Sequence, residues 1–406
     1  MNNKLLISGV LGLGTCMIYT PIHAGEAQAQ SKPNVLIIYT DDMGAGDVSF
    51  LNNGWVKTPN IDKLASGGLI VTNYYSSSPV SSPSRVGLTT GRFPTEMGIN
   101  CYLQTRKGNT ACEQFDYLDA SVPTMAKVMK SAGYTTGHFG KWHMGGGRDV
   151  IDAPQITEYG FDEYISTWES PNPDPVITDS AWIWSRTDQV KRWDRTAYFV
   201  DKTLDFLKRH KGEPCFVNLW PDDMHTPWVP SQKTMDSERT SWTTPPNFKE
   251  VLTEYDKQIG RLMEGLTKLG LEKNTIVIFT SDNGPAPSFQ QMRTNSLLGV
   301  KCSLYEGGIR MPFAIHWPEK IKAGGINDSS IVCAVDLLPS LCALTGAKLP
   351  LDMELSGEDM SRALLGEPQI RKKDLMWDFG RNKAFNYPRG KNAKQKSPHL
   401  QSGAVV

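Results

Sequence analysis

The sequence predicts an α/β fold with a large, mostly parallel sheet flanked by helices. Three observations carry this. Short unbroken apolar runs alternate with longer amphipathic segments, as expected for strands buried on both faces and joined by helical crossovers. The apolar runs end in polar or charged residues. The 406 residues suffice for one large core or two unequal domains.

The elements follow in order. NVLIIYT (34–40) is a continuous apolar strand ending in Asp41 and Asp42. The stretch VSSPSRVGLTTGR (80–92) turns on Pro83. Taken alone it reads as a hydroxyl-rich turn, with Ser84 capping a helix that starts near Arg85 and leaves Arg85 solvated. VPTMAKVMKSAG (122–133) has helical spacing and a glycine stop, and YTTGHFGKWH after it is a strand reaching Lys141 and His143. Residues 145–195, rich in Gly, Pro, Asp and Trp, break the alternation and read as a long surface excursion over the strand ends. TAYFVDKTLDFLKRH (196–210) is an amphipathic helix, followed by the strand CFVNLW and by PDDMH with His225. FKEVLTEYDKQIGRLMEGLTKLG (248–270) is a long helix with a glycine stop. NTIVIFT is the next strand, ending in Ser281, Asp282, Asn283 and Gly284, and MPFAIHWP is one more short strand. His138 and His316 lie inside apolar strands and read as core histidines.

Composition excludes some partners. Lys+Arg and Asp+Glu both number 43, so no global field favours nucleic acid or an anionic membrane, and any anion must be held by a local cluster. Lys4 precedes the apolar run LLISGVLGLGTCMIY, and Ala24 or Ala27–Ala29 offers a cleavage site, so residues 1–29 read as a signal peptide. That run is too short and glycine-rich for stable membrane insertion, and Thr15 is a poor residue before a lipidated Cys16. The expected location is therefore the periplasm. The remaining cysteines show no Cys-x-x-Cys spacing, which argues against structural zinc. Cys101 and Cys112 close a polar loop; they either pair in an oxidising compartment or stay as buried thiols.

In a parallel sheet, ligands gather outside the carboxyl ends of the strands. There this chain places Asp41, Asp42, Asp282 and Asn283, three carboxylates and an amide oxygen. Such hard donors suit Ca2+ or Mg2+ rather than Zn2+. Arg85, Lys141 and Lys301, with His143 and His225, add cationic donors, and together they describe a site for a tetrahedral oxyanion.

These blocks resemble the sulfatase family. SSPSRVGLTTGR (81–92) is similar to its signature, Cys or Ser-x-Pro-Ser-Arg with a downstream Thr-Gly-Arg. NVLIIYTDD (34–42), GKWH (140–143), PDDMHTP (221–227), SDNG (281–284) and KCSLYEGGIRMP (301–312) match the other family blocks in order, across about residues 33–365. The resemblance implies an alkaline phosphatase-like sandwich and a sulfuric ester hydrolase acting on a sulfated carbohydrate. It implies that Ser81 is converted to Cα-formylglycine by a radical maturase before export, with Pro83 and Arg85 in the recognised motif. Asp41, Asp42, Asp282, Asn283 and the modified Ser81 would bind Ca2+. Arg85 would hold the aldehyde hydrate, Lys141 and His143 would flank it, and Lys301 and His225 would reach the sulfate. One hydroxyl of the hydrate would attack sulfur with His225 as general acid. The second, deprotonated with help from His143, would release inorganic sulfate.

The family usually continues into a small C-terminal subdomain, and RKKDLMWDFGRN stands where it would begin. Residues 30–370 are thus expected to form the catalytic domain, and 371–406 a reduced or truncated remnant of that subdomain. The alternatives are a phosphate mono- or diesterase of the same superfamily and a non-catalytic glycan-binding relative with unmodified Ser81. The chain has only seven His, few for a two-zinc phosphatase. Sugar discrimination is expected from Trp182, Trp184 and Arg186, with Asp222 and Asp223 as a second set.

Overall fold

The computed structural model describes residues 32–382 apart from 53, 179–182 and 238–241, together with the backbone of 404–405. The expected signal peptide with Cys16, and Trp182, lie outside the described residues.

The strands are β1 (Asn34–Thr40), β2 (Leu69–Val71), β3 (Tyr74–Tyr75), β4 (Thr135–Gly140), β5 (Glu163–Ser166), β6 (Cys215–Trp220), β7 (Thr275–Ser281), β8 (Phe313–His316), β9 (Gly325–Asn327) and β10 (Val332–Cys333). Eight of them form one sheet in the order β5-β4-β6-β1-β7-β8-β2-β9. All neighbours are parallel except around β8, which runs against both β7 and β2. Strand β1 shows why its sequence is an unbroken apolar run. Val35, Ile37 and Tyr39 enter the core on one face of the sheet, and Leu36 and Ile38 enter the core on the other.

The helices are α1 (Pro59–Ser66), α2 (Ser81–Thr90), α3 (Arg106–Ala111), α4 (Met125–Ser131), α5 (Arg195–Arg209), α6 (Gln232–Asp236), α7 (Pro245–Leu269), α8 (Glu306–Ile309), α9 (Leu337–Thr345) and α10 (Ser361–Leu364). The faces of α5 and α7 that carry Phe199, Phe206, Leu252 and Ile259 cover one side of the sheet. Val86 of α2, Met125 and Met129 of α4 and Leu341 of α9 pack on the other. Helix α7 begins where Thr244 accepts the Asn247 N–H at 3.4 Å with prolines in the first turn, and it stops at Gly270, whose φ of +71° ends the helix in a left-handed turn.

The structure departs from the sequence expectations in several places. Helix α2 starts at Ser81 after an extended Val80, so Ser84 is not its cap and Arg85 is not solvated; both are fully buried about one turn into the helix. The 145–195 excursion is not all surface, because β5 lies within it and forms the edge of the main sheet. The described cysteines are buried and no disulfide joins Cys101 to Cys112, so that loop takes the thiol alternative. Past residue 370, β11 (Met376–Trp377) pairs antiparallel with β12 (Ala404–Val405), and the buried Trp377 donates its indole N–H to the Ser76 carbonyl at 2.7 Å. No helix among the described residues is long and apolar enough to cross a membrane.

Candidate active site

Strands β1 and β7 are neighbours in parallel register, with Thr40 opposite Ser281. That register brings the two acidic strand ends together. The Asp282 N–H donates to the Thr40 carbonyl at 3.0 Å, and the Asp42 N–H donates to Asp282 Oδ1 at 3.0 Å. Asp41, Asp42 and Asp282 each turn a carboxylate oxygen into a cluster whose members lie within 4.8 Å of one another, all buried. Asn283 joins them: its Nδ2 donates to Asp42 Oδ1 at 2.7 Å, and its Oδ1 faces Ser81.

Ser81 opens α2 directly against this cluster. Its Oγ donates to Asp41 Oδ1 at 2.9 Å and lies 3.2 Å from Asn283 Oδ1. One turn on, Arg85 Nη2 reaches Asp282 Oδ2 at 2.8 Å and Asp41 Oδ1 at 3.2 Å, while Nη1 donates to the Lys141 carbonyl at 3.2 Å. The guanidinium sits 5.5 Å from the Tyr39 ring and 5.2 Å from the Trp220 ring, a cation between two aromatic walls.

The other strands add the remaining cations. At the end of β4, Gly140 has φ +131°, and a Cβ there would lie 2.1 Å from the Trp220 carbonyl oxygen. Only glycine fits, and the same carbonyl accepts the Lys141 N–H at 2.8 Å, which turns the chain toward the site. Lys141 Nζ then lies 3.0 Å from Asp41 Oδ2, and Lys301 Nζ lies 2.7 Å from Asp42 Oδ1. His225, after β6, places Nε2 3.7 Å from Asp42 Oδ2, with Nδ1 2.6 Å from the Thr226 carbonyl oxygen. Asp42 and His143 hold φ of +56° and +52°, left-handed values that cost a non-glycine residue and cluster at functional sites.

The electrostatics follow from burial and these pairs. Burial works against the Asp41 charge, yet Lys141, His225, Arg85 and Lys301 outweigh it and hold its carboxyl well below the usual range. Asp282 goes the other way: burial, then the charge of Asp41, push it up to about 7. Burial and the nearby Lys301 lower His225. A carboxylate crowded enough to hold its proton near neutrality is a place where a divalent cation would relieve repulsion, so the donor set fits a hard metal ion.

A narrow cleft opens beside these groups, lined by Asp41, Lys141, Thr167, Trp168, Glu169, Ile183, Asp222 and His225. The specificity residues expected from the sequence fare differently. Trp184 is only 8% exposed and packs edge-on to Trp242, with ring centroids 5.0 Å apart, beside Val229 and Met235. Its ring is used in packing. Arg186 is exposed and does not line the cleft. Asp222 lines the cleft, but its Oδ2 already holds Arg192 at 2.6 Å and Arg195 at 2.8 Å. Asp223 is buried and accepts from the Thr196 hydroxyl and N–H, so it braces the start of α5. Sequence reasoning missed Glu169, Thr167, Trp168 and Ile183. They sit in the irregular segment, where no spacing marks a wall residue.

A family model described as Sulfatase matches residues 33–347. The chain belongs to the sulfatase family, the sulfuric ester hydrolases. It is 28% identical to an N-acetylgalactosamine-6-O-sulfatase of Bacteroides thetaiotaomicron, over 91% of this chain and 83% of that one. It is 31% identical to arylsulfatase A of Bos taurus, over 87% of this chain and 72% of the relative. Among solved structures, a Bacteroides thetaiotaomicron protein of glycosaminoglycan metabolism superposes with TM-score 0.72 at 27% identity, covering 86% of this chain and 85% of that one. Ps i-CgsB bound to a neocarrahexaose superposes with TM-score 0.71 at 26% identity, over 86% and 80%. A phosphonate monoester hydrolase of Agrobacterium radiobacter, at 19% identity and TM-score 0.64 over 92% and 88%, shares the fold alone.

Proposed function

We propose that this chain hydrolyses sulfate esters of a carbohydrate, with residues 30–370 as the catalytic domain and Ser81, once converted to formylglycine, as the nucleophile. The observation that carries the reading is the place of Ser81: at the first residue of α2, with Oγ directed at Asp41 and Asn283 and a ring of cations around it. Relatives named N-acetylgalactosamine-6-sulfatase and a neighbour that holds a neocarrahexaose support a sulfated glycan as the substrate class.

Charge counting supports the sulfate reading. Three carboxylates face three fixed cations, Arg85, Lys141 and Lys301. A divalent ion held by Asp41, Asp42, Asp282 and Asn283 would make the site net positive and would draw charge from a bound sulfuryl group. Ca2+ suits that all-oxygen set, with Mg2+ as the alternative. A formylglycine at Ser81 would supply a hydrated aldehyde, with one hydroxyl to attack sulfur and a second through which sulfate can leave; a plain serine hydroxyl lacks that exit. Arg85 orients the nucleophile end of α2, braced by Tyr39 and Trp220. Lys141 and Lys301 bind the sulfuryl oxygens, and His225 carries the proton to the departing sugar oxygen. Thr167, Trp168 and Ile183 shape the side of the cleft where the sugar rests.

The test starts with mass spectrometry of the Ser81 peptide from protein matured by an anaerobic host, which should show the loss of two hydrogen atoms. The matured chain should release sulfate from an aryl sulfate far faster than phosphate from the same phenol. Ser81→Ala should keep its melting temperature and lose turnover. Appreciable sulfate release by Ser81→Ala would overturn the assignment.

A further inference from the structure

Arg192 lies in the irregular segment just before α5, in a single helical turn (Arg192–Asp194), and no motif marks it. Its buried guanidinium grips the turn that carries His225. Nη1 donates to Asp222 Oδ2 at 2.6 Å, and Nη2 donates to the Asp222 carbonyl at 2.7 Å and to the His225 carbonyl at 3.0 Å. The His225 N–H donates to the same Asp222 carbonyl at 3.1 Å and closes the turn. One planar cation thus fixes both ends of the Asp222–His225 turn and the carboxylate at its start.

The ring follows its backbone. Nδ1 lies 2.6 Å from the Thr226 carbonyl oxygen, so the imidazole is tethered to its own main chain, and Nε2 is left toward Asp42 Oδ2, 3.7 Å away. Where the turn stands therefore decides where Nε2 stands. Arg195 completes the bracket. Its Nη1 donates to Asp222 Oδ2 at 2.8 Å and to the carbonyl of the cleft residue Ile183 at 2.9 Å, which locks Asp222 from a second side.

We propose that Arg192 is a positioning residue that sets His225 over the departing sugar oxygen. It acts through Asp222 and His225, both of which line the cleft. The consequence for catalysis rests on the sulfatase reading, with His225 as proton donor: the leaving oxygen keeps the electron pair of its S–O bond and takes the Nε2 proton. Such help matters in proportion to the basicity of the leaving oxygen, since a nitrophenolate departs unaided and an alkoxide does not. A displaced His225 should therefore cost most where the leaving group is most basic.

Arg192→Lys keeps the positive charge beside Asp222 but cannot span the carboxylate and two carbonyls with one planar fork. In the full, matured, calcium-loaded protein, this variant should lose at least about tenfold more turnover on p-methoxyphenyl sulfate than on p-nitrophenyl sulfate. Partial unfolding removes sites for both substrates alike and leaves that ratio where it was. His225→Asn should shift the ratio in the same direction. A shift with His225→Asn and none with Arg192→Lys overturns the proposal. Amide hydrogen exchange on the peptide spanning 222–226 needs no turnover. Relative to α7, it should quicken at least about tenfold in Arg192→Lys. Unchanged exchange overturns the proposal whatever the rates show. Failure of the sulfatase reading appears separately, as no sulfate release by protein carrying the modified Ser81, and leaves the exchange result to decide the role of Arg192.

Discussion

At the scale of the residue, two carboxylates give measurable consequences of opposite kinds. Burial opposes the charge of Glu169, but His143, Lys141 and Arg148 prevail and bring its pKa from 4.5 to about 2. A depressed carboxyl adds stability that is fully present above its unfolded value and is lost as pH falls through its folded value. Unfolding free energy from urea titrations should therefore drop more steeply between pH 4.5 and 2 in wild type than in Glu169→Gln. Equal slopes would mean that the three nitrogen groups do not hold the carboxylate. Asp282 is the metal-side counterpart. Asp282→Asn keeps the oxygen donor and removes one charge, so calcium affinity by calorimetry should fall at least about tenfold. Unchanged affinity would remove Asp282 from the metal site.

At the scale of the element, α2 carries its function through close packing. A Cβ at Gly87 would stand 2.0 Å from Ser77 Oγ and 2.5 Å from Ser77 Cβ, and that hydroxyl donates to the Ser84 carbonyl at 3.2 Å. Helix propensity alone favours Gly87→Ala by about 1 kcal/mol. Overpacking should reverse the sign and leave a net loss of about 1–3 kcal/mol in chemical denaturation. A stabilised variant would show that the Ser77 segment yields freely. The same helix shows where local rules lose to tertiary partners. Capping preferences assign Ser84 to a helix start, but its hydroxyl donates to the Asp282 carbonyl and Ser81 turns to Asp41, so the helix begins earlier. Strands β1, β6 and β7 were legible because burial on both faces demands apolar runs, β4 (TTGHFG) from the helix and glycine stop before it, and the polar residues at their ends marked the site. The short β2, β5 and β9 have too few residues for a period to show. The packing of Trp184 was not legible because its partner, Trp242, is remote in sequence, and Glu169 was missed because its partners meet only in the folded chain.

At the scale of the whole molecule, the site gathers residues from the ends of β1, β4, β6 and β7, from α2, and from Lys301 before α8. A ligand that bridges so many elements should stabilise the entire fold by mass action, by about 2.7 kcal/mol at a hundredfold excess over its dissociation constant. Chelation should therefore lower the melting temperature of the full protein, and added calcium should restore it; indifference to both would contradict a shared ion. The placing of Ser81 has a further result. Ser81 is 1% exposed, and its hydroxyl donates to Asp41 under α2. No second protein can reach that hydroxyl once the chain has closed over it. On the proposed conversion of Ser81, maturation and folding would be competitors in time: a newly made chain would be oxidised at Ser81 while still extended, or would fold first and stay inert. The yield of active enzyme is then a ratio of two rates, and slowing the collapse of the chain during synthesis should raise it.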